Sequence, residues 1–182
     1  MLRAPVWEGE NTDCEGVVLA LGWRGIAIGG ARALVIGAGG AGKATAFALA
    51  MAGAEVTLAN RGIDRGREVA AELDLPFVPL VEADPAGFDL VVNATALGRR
   101  AADALPFDPQ RLDPGAAVVD LVYGRGPTAL GRAALARGAR VVDGREVLLG
   151  QALSQFRLMT GHELPLDVGR AALGLDGSEA VP

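Results

Sequence analysis

The sequence has 182 residues and contains one cysteine, one histidine and one lysine, which are Cys14, His162 and Lys43. A single cysteine cannot form an intrachain disulfide or a cysteine-based metal cluster. A single histidine means that any catalytic triad or multi-histidine metal site would depend on His162. That residue lies in a T-G-H-E turn, where we expect a surface or structural role. We therefore predict no metal site.

The chain also lacks a basic block and a long hydrophobic run. Seventeen basic residues against twenty-two acidic ones give a net charge of −5, which argues against a nucleic-acid-binding protein. Glycine, proline or a charged residue interrupts every apolar run before about 18 residues, so no membrane span is predicted. The N-terminal residues lack the apolar segment of a secretory signal, and we expect a cytoplasmic protein. The 51% of hydrophobic residues are enough to form a buried core.

Short β-branched runs alternate along the chain with stretches rich in alanine and leucine. The predicted strands are Ala33–Ile36, Glu55–Ala59, Pro76–Leu80, Phe88–Asn93, Ala116–Val122 and Arg140–Val142. The predicted helices are Thr12–Leu21, with Thr12 or Asp13 as its cap, Ala41–Ala52, Arg65–Leu73, Thr128–Arg137 and Glu146–Thr160. Continuously apolar strands separated by helices are typical of a doubly wound parallel sheet.

We therefore predict an α/β fold with a doubly wound parallel sheet flanked by opening and closing helices. In this division, residues 1–30 form an opening strand and an interdomain helix, and residues 31–143 form the domain that contains the sheet. Residues 144–174 form closing helices that pack back on it, and residues 175–182 form a tail.

The strongest local signal is the segment G-A-G-G-A-G at residues 37–42, directly after the first predicted strand. It matches the G-x-G-x-x-G fingerprint of Rossmann-like, dinucleotide-binding folds, so residues 31–143 are predicted to bind a nucleotide. In this fingerprint Gly37 permits a tight turn. Gly39 allows the backbone to approach a pyrophosphate, and Gly42 allows the helix to pack closely on the strand. The helix that follows would present N–H groups and a partial positive charge to the phosphates.

The same residues nearly match a phosphate-binding loop of NTPases. Residues 37–43 satisfy G-x-x-x-x-G-K, but Ala44 stands where a serine or threonine would hold magnesium. Asp120, after an apolar strand, could serve as a magnesium-binding acid. We keep an NTPase as an alternative.

The end of the second strand indicates which dinucleotide would bind. NAD sites usually place an acidic residue here, whereas this chain has Asn60 and Arg61, with Arg65 on the next turn. Guanidinium groups attract the 2′-phosphate of NADP through charge-assisted hydrogen bonds. The sequence therefore predicts NADP, or NADPH, as the cofactor.

Taken together, these segments resemble the C-terminal, cofactor-binding half of the shikimate dehydrogenase family. The match runs in order from about residue 10 to residue 161. Its segments are N-T-D with Gly16 at residues 11–16, the loop G-A-G-G-A at 37–41, N-R with Arg65 at 60–65, N-A-T with Gly98 at 93–98, D-L-V-Y with Thr128 at 120–128, and Gly144 with L-L, Q-A and Phe156 at 144–156.

The resemblance implies an NADP-dependent oxidoreductase that reversibly reduces 3-dehydroshikimate to shikimate, in the biosynthesis of chorismate and aromatic amino acids. It implies that Asp13 is the acidic member of the catalytic pair and contacts the substrate, as do Thr12, Tyr123 and Gln151. The cofactor-binding residues that it implies are Gly37, Ala38, Gly39, Gly40 and Ala41 at the pyrophosphate, Asn60, Arg61 and Arg65 at the adenosine ribose and its phosphate, and Leu121 and Gly144 near the nicotinamide.

Several departures from the family pattern affect the expected activity. The family's substrate domain, normally N-terminal to this region, is expected to be missing, together with the lysine that pairs with the aspartate. Lys43 lies in the glycine loop and cannot readily replace it. Arg99 stands where the family commonly has an apolar residue. We therefore expect the chain to bind NADP(H) with little or no shikimate oxidation.

Three interpretations stay open: an excised fragment, a chain that works with a separate substrate-binding lobe, and a non-catalytic NADP-binding regulatory module. A relative that prefers quinate also stays open. An apolar surface at the lost interface, around Trp7 and the helix from Thr12, is expected to bind such a lobe or a second copy of the chain.

Overall fold

The computed structural model describes residues 9–124 and 126–175, so Trp7 and residues 176–182 of the expected tail lie outside the described residues. The strands are β1 (Arg32–Ile36), β2 (Glu55–Asn60), β3 (Phe77–Pro79), β4 (Leu90–Asn93), β5 (Ala117–Asp120) and β6 (Arg140–Asp143). The helices are α1 (Asp13–Trp23), α2 (Gly40–Met51), α3 (Ile63–Glu72), α4 (Ala129–Ala136), α5 (Gly144–Thr160) and α6 (Leu166–Ala172). Two short 3-10 helices are Leu80–Glu82 and Pro109–Arg111.

The six strands form one parallel sheet in the order β3-β2-β1-β4-β5-β6. This order reverses direction between β1 and β4, and ligands of doubly wound sheets bind outside the carboxyl ends of the strands at such a point. The predicted fold class, a doubly wound α/β sheet with flanking helices, is confirmed.

The sheet is buried on both faces, as continuously apolar strands require. All four residues of β4 and of β5 are buried, and so are the last four residues of β1. Leu34 and Ile36 pack into one apolar cluster, whereas Val35 packs into another, because successive side chains of a strand point to opposite faces.

Helix α1 packs closely against α5 through a pair of glycines. A Cβ on Gly150 would lie 2.8 Å from the carbonyl oxygen of Gly16, and a Cβ on Gly16 would lie 2.8 Å from that of Val147. Only residues without a side chain permit this approach. It brings the first turn of α1 beside the middle of α5.

Thr12 is the N-cap residue of α1, which is one of the two predicted caps, but its side chain makes no capping hydrogen bond. Its hydroxyl instead accepts a hydrogen bond from Gln155 Nε2 at 3.0 Å. Asn11 Oδ1 instead accepts the N–H of Asp13 at 3.0 Å. The Thr12 hydroxyl is thus used in a contact between α1 and α5, while Asn11 bonds the first backbone N–H of α1.

Helix α5 begins two residues earlier than predicted because Asp143 forms a capping box with Glu146. The Asp143 side chain accepts a backbone N–H of the first turn, and the Glu146 side chain accepts the N–H of Asp143. Strand β5 is shorter than predicted, since Asp120 Oδ1 accepts the N–H of Val122 and turns the chain out of the sheet.

None of the helices in the two described segments is long and apolar enough to cross a membrane.

Candidate functional site

The glycine loop connects β1 to α2 at the point where the strand order reverses. Gly37 has a φ of +117°, and a Cβ there would lie 2.8 Å from the carbonyl oxygen of Ala94. A Cβ on Gly42 would lie 1.8 Å from the carbonyl oxygen of Gly37. A Cβ on Gly39 or Gly40 would meet no atom of the described residues within 4 Å, so this side of the loop is open.

The N-terminus of α2 faces this open side. The first hydrogen bond within the helix is donated by Lys43 N to Gly39 O, at 2.9 Å. The N–H groups of residues 40–42 therefore have no acceptor within the helix. Such N–H groups, together with the helix dipole, form a binding site for phosphate. Ala38 N, by contrast, donates to Asn60 Oδ1 at 3.1 Å, and this bond ties the loop to the end of β2.

Buried polar side chains fix the ends of β4 and β5. Asn93 is fully buried, and its amide donates to Asp120 Oδ1 at 2.8 Å and to Leu97 O at 3.0 Å. Asn93 Oδ1 accepts the N–H and the hydroxyl of Thr95, and Asp120 Oδ2 accepts the Thr128 hydroxyl. Each of these polar groups has a partner, which holds the turn after β4 in one conformation.

Asp120 does not present a free carboxylate to a metal ion. Burial raises the pKa of Asp120 above its ordinary value, although hydrogen bonds from Thr128, Val122 and Asn93 act in the opposite direction. Lys43 Nζ forms an ion pair with Glu72 on α3. The two groups that an NTPase would need are thus engaged elsewhere, which argues against that alternative.

A cavity of 460 Å³ lies beside the glycine loop, between the ends of β1, β2 and β4. It is lined by Ile36, Gly37, Asn60, Arg61, Leu80, Thr95, Ala96, Leu97, Arg99, Arg100 and Asp103. Of the three predicted ribose-binding residues, Asn60 and Arg61 line it. Arg65 instead forms an exposed ion pair with Glu68, with 2.8 Å between Nη1 and Oε2.

The structure brings two of the predicted substrate residues together on the facing surfaces of α1 and α5. Gln151 Nε2 donates to Asp13 Oδ1 at 2.9 Å, and Thr12 is held one turn away by Gln155. Tyr123 is 55% exposed and lies on the loop after β5, where it lines a small cavity with Arg99 and Thr128.

Gly144 and Leu121, predicted to flank the nicotinamide, lie together at the ends of β5 and β6. A Cβ on Gly144 would lie 2.8 to 2.9 Å from the carbonyl oxygens of residues 120–122. Glycine is therefore required where α5 starts against the strand end. Leu121 N donates to Asn93 O, which joins this corner to the buried polar group.

Sequence reasoning missed two features of the site region. The turn carrying Arg99 and Arg100 lines the cavity, and adjacent basic residues in a G-R-R segment after a strand could have indicated it. Glu146, fully buried and paired with Arg24, was also missed. The D-x-x-E capping pattern at residues 143–146 was readable, but no local pattern indicates a partner 122 positions away.

Comparisons with known proteins agree with this geometry. The model of the family Shikimate / quinate 5-dehydrogenase matches residues 24–100, and that of the Shikimate 5'-dehydrogenase C-terminal domain matches residues 144–173. The shikimate dehydrogenase (NADP(+)) of Methanothrix thermoacetophila is 41% identical over 167 residues, which are 91% of this chain and 62% of that protein.

Solved structures of shikimate and quinate dehydrogenases are also similar to this chain. Shikimate 5-dehydrogenase from Thermus thermophilus, in complex with NADP(H) and shikimate, is 38% identical with a TM-score of 0.82 and is matched over 91% of this chain and 62% of that one. Quinate dehydrogenase from Corynebacterium glutamicum, in complex with NAD, is 30% identical with a TM-score of 0.82, over 92% of this chain and 62% of that one.

The strand order, the glycine loop and the helix N-terminus that follows it define a Rossmann-like fold of the dinucleotide-binding class. Within this class, the chain belongs to the shikimate dehydrogenase family, as its sequence predicts. It spans about 60% of the length of the relatives that it matches.

Proposed function

We propose that this chain is the NADP(H)-binding part of a shikimate dehydrogenase, an oxidoreductase that interconverts 3-dehydroshikimate and shikimate. The observation that carries the proposal is the glycine loop, whose Gly37 and Gly42 admit no side chain while the side of Gly39 and Gly40 is open. The cavity beside it is lined by Asn60 and Arg61 at the end of β2, where such folds bind the adenosine ribose. The positive charge of Arg61 suits a phosphate on that ribose.

The cofactor would be held by three parts of the site. The N–H groups of residues 40–42 would bind the pyrophosphate, and Asn60 and Arg61 would bind the ribose and its 2′-phosphate. Gly144 and Leu121 would flank the nicotinamide. When bound, NADP supplies the chemistry of hydride transfer to a carbonyl or from an alcohol.

On the substrate side, the α1–α5 surface would orient a hydroxyl-bearing ligand. The Gln151 amide holds one oxygen of the Asp13 carboxylate, which leaves the other oxygen to accept a hydrogen bond from a substrate hydroxyl. The resemblance to the family assigns proton transfer to a pair formed by a lysine and an aspartate. This chain has Asp13 for that pair, but its one lysine, Lys43, lies at the glycine loop and forms an ion pair with Glu72. We therefore expect cofactor binding with little or no shikimate oxidation.

The test is a calorimetric titration of the purified chain with NADP+, with NAD+ and ATP as competitors. We expect saturable binding that prefers NADP+ and weakens at least about tenfold in Arg61→Gln, because one charge-assisted bond is lost. Shikimate-dependent reduction of NADP+ is followed by absorbance in the same samples. Magnesium-dependent binding of ATP, or no binding of either dinucleotide, would overturn the proposal.

Two related functions have an observation in their favour. A non-catalytic NADP-binding module is favoured by the position of the one lysine in the sequence, Lys43, which lies at the glycine loop rather than beside Asp13. It predicts NADP+ binding with no turnover even when a substrate lobe from a relative is supplied. A quinate-preferring relative is favoured by the similarity to the Corynebacterium glutamicum enzyme, solved with NAD. It predicts faster oxidation of quinate than of shikimate when a substrate lobe from a relative is supplied.

A further inference from the structure

A second, smaller cavity lies between the loop after β4, the loop after β5 and the start of α4. It has a volume of 250 Å³, and its polar side chains are those of Arg99, Arg100, Tyr123, Thr128 and Arg132. None of its described lining residues is acidic. Arg99 and Arg100 also line the cavity beside the glycine loop, whereas Tyr123 and Arg132 do not.

The charge of this small cavity is opposite to that of the chain as a whole. The guanidinium groups of Arg99, Arg100 and Arg132 line it, although the chain carries a net charge of −5. In the part of the chain that the structure describes, none of these three forms an ion pair with a carboxylate. The Asp120 carboxylate accepts the Thr128 hydroxyl, but Asp120 is buried. Like charges around one cavity repel each other, and a bound anion would offset that repulsion.

The backbone around the three arginines is fixed by hydrogen bonds. Arg132 Nη1 donates to the carbonyl oxygen of Pro127 at 2.6 Å, which keeps this guanidinium beside the start of α4. Asp103 Oδ2 accepts the N–H of Gly98 at 3.1 Å and that of Arg100 at 2.9 Å, so the loop that carries the other two arginines is held in one conformation. Groups that are ordered in advance lose less entropy when they bind a ligand.

We propose that this small cavity binds the phosphate group of a small phosphate monoester, at a site separate from that of the cofactor. Such a group carries close to two negative charges and three acceptor oxygens at neutral pH. Guanidinium groups bind it through paired, charge-assisted hydrogen bonds. The Tyr123 hydroxyl, which forms no hydrogen bond with the described residues, can donate another.

The size of the cavity sets the size of its ligand. A volume of 250 Å³ is below the range of sites for drug-sized ligands, so it suits a phosphate on a small molecule and not a dinucleotide. The glycine loop and Arg61 do not line this cavity. The inference therefore goes beyond the proposed function and does not depend on it.

The test uses Tyr123 as a local probe. The chain contains one tyrosine, so incorporation of fluorotyrosine gives a single fluorine NMR signal, from the wall of this cavity. Inorganic phosphate is titrated into the full chain at neutral pH and constant ionic strength, which keeps general charge screening unchanged. We expect a saturable shift with a Kd on the order of 1 mM or lower, and at least about tenfold weaker binding of acetate, which carries one charge.

Arg132→Gln and Arg137→Gln are a matched pair of variants at the two ends of α4. Both arginines are exposed, but Arg132 lines the cavity and Arg137 does not. We expect Arg132→Gln to weaken phosphate binding at least about fivefold and Arg137→Gln to weaken it less than about twofold. The thermal midpoints of both variants should equal that of the wild type, since each change is at an exposed side chain.

Calorimetry with NADP+ distinguishes this site from the proposed cofactor site. Arg132→Gln should bind NADP+ within about twofold of the wild type, because Arg132 does not line the cavity beside the glycine loop. Phosphate should still shift the fluorine signal when the chain is saturated with NADP+. Loss of that shift would assign the arginines to the cofactor and overturn the inference.

Three other results would overturn the inference while the proposed function stands. They are a fluorine signal without a saturable shift, equal weakening of phosphate binding in Arg132→Gln and Arg137→Gln, and acetate binding as tight as that of phosphate. A wild-type chain that binds phosphate in this way but does not bind NADP+ would support the phosphate site and overturn the proposed function.

Discussion

At the scale of single residues, the glycines of the loop after β1 have different physical roles. Gly42 is required because the helix passes so close to the strand end that a Cβ would overlap the carbonyl oxygen of Gly37, at 1.8 Å. Gly39 has an ordinary extended backbone, with φ of −79° and ψ of −176°, and a Cβ there would point into open space. Gly42 is therefore needed by the fold, whereas Gly39 keeps space free for a ligand.

We predict that Gly42→Ala and Gly39→Ala separate these two roles. Gly42→Ala should lower the free energy of unfolding by more than about 2 kcal/mol, since the clash is with backbone and the helix must shift. Gly39→Ala should change it by less than about 1 kcal/mol, yet abolish saturable NADP+ binding by occupying the space at the pyrophosphate. Urea unfolding and calorimetry measure the two quantities, and equal destabilisation by both variants would contradict this interpretation.

At the scale of elements, the contact between the end of α1 and the start of α5 depends on one buried ion pair. Glu146 is fully buried, and both of its carboxylate oxygens accept from Arg24 Nε, at 3.0 and 3.1 Å. Glu146 also closes the capping box of α5. The pair fixes α5, and with it Gln151, relative to the chain that follows α1.

We predict that Arg24→Met destabilises the protein by about 2 to 3 kcal/mol, because it leaves a buried carboxylate without its partner. The figure is below that of a fully buried pair, since the Arg24 side chain is 25% exposed. Arg32→Met removes the ion pair with Asp89, in which both side chains are exposed. It should lower the free energy of unfolding by less than about 0.5 kcal/mol.

Urea unfolding of the two variants provides the measurement. The double variant Arg24→Met/Glu146→Leu should regain part of the lost stability, because no unpaired charge then stays buried. If Arg24→Met and Arg32→Met had the same small effect, the pair would not hold α5 in place.

The element pattern was largely predictable, because each strand is a short apolar run that a glycine, a proline or a charged residue interrupts. The six strands and the helices α1 to α5 begin and end within two residues of their predicted bounds. Strands β3, β4 and β5 are shorter than predicted, and after β5 the apolar composition continues through Leu121 and Val122, which lie beyond the strand end. Asp120 causes the turn there through its bond to Val122 N, which is a conformational property that hydrophobicity does not report.

The candidate site was predictable only where local spacing encodes it. The glycine loop has a fixed spacing, so Gly37 and Gly42 could be interpreted from sequence, and the structure explains both. The pairing of Asp13 with Gln151 joins residues that are 138 positions apart in the chain, which no local pattern indicates. The pair of Arg65 with Glu68, by contrast, has the i,i+3 spacing of neighbours on a helix, so it could have been predicted from sequence. The roles assigned to these residues in binding cofactor or substrate are still predictions.

At the scale of the whole molecule, an apolar groove runs between α1, α5 and the segment before α6. It has a volume of 660 Å³ and is lined chiefly by Cys14, Val18, Leu19, Trp23, Leu153, Leu164 and Leu166. One side of helix α1 thus packs against α5 and α2, and another side lines this groove. The sequence predicts an exposed apolar face at this helix, and the groove is where the described residues offer one.

We predict that a second copy of the chain covers this groove, so that the protein associates with itself as concentration rises. Sedimentation velocity over a concentration series should show a weight-average mass above that of the 18.6 kDa chain. Leu19→Glu, which places a charge at the rim of the groove, should shift the protein to the monomer, because burial of a carboxylate in an apolar contact is unfavourable.

The matched control is Val81→Glu, which introduces the same charge at a residue that is 93% exposed and does not line the groove. It should associate like the wild type. A wild-type chain that stays strictly monomeric at the highest concentration, or equal dissociation of both variants, would show that the groove does not bind a second copy.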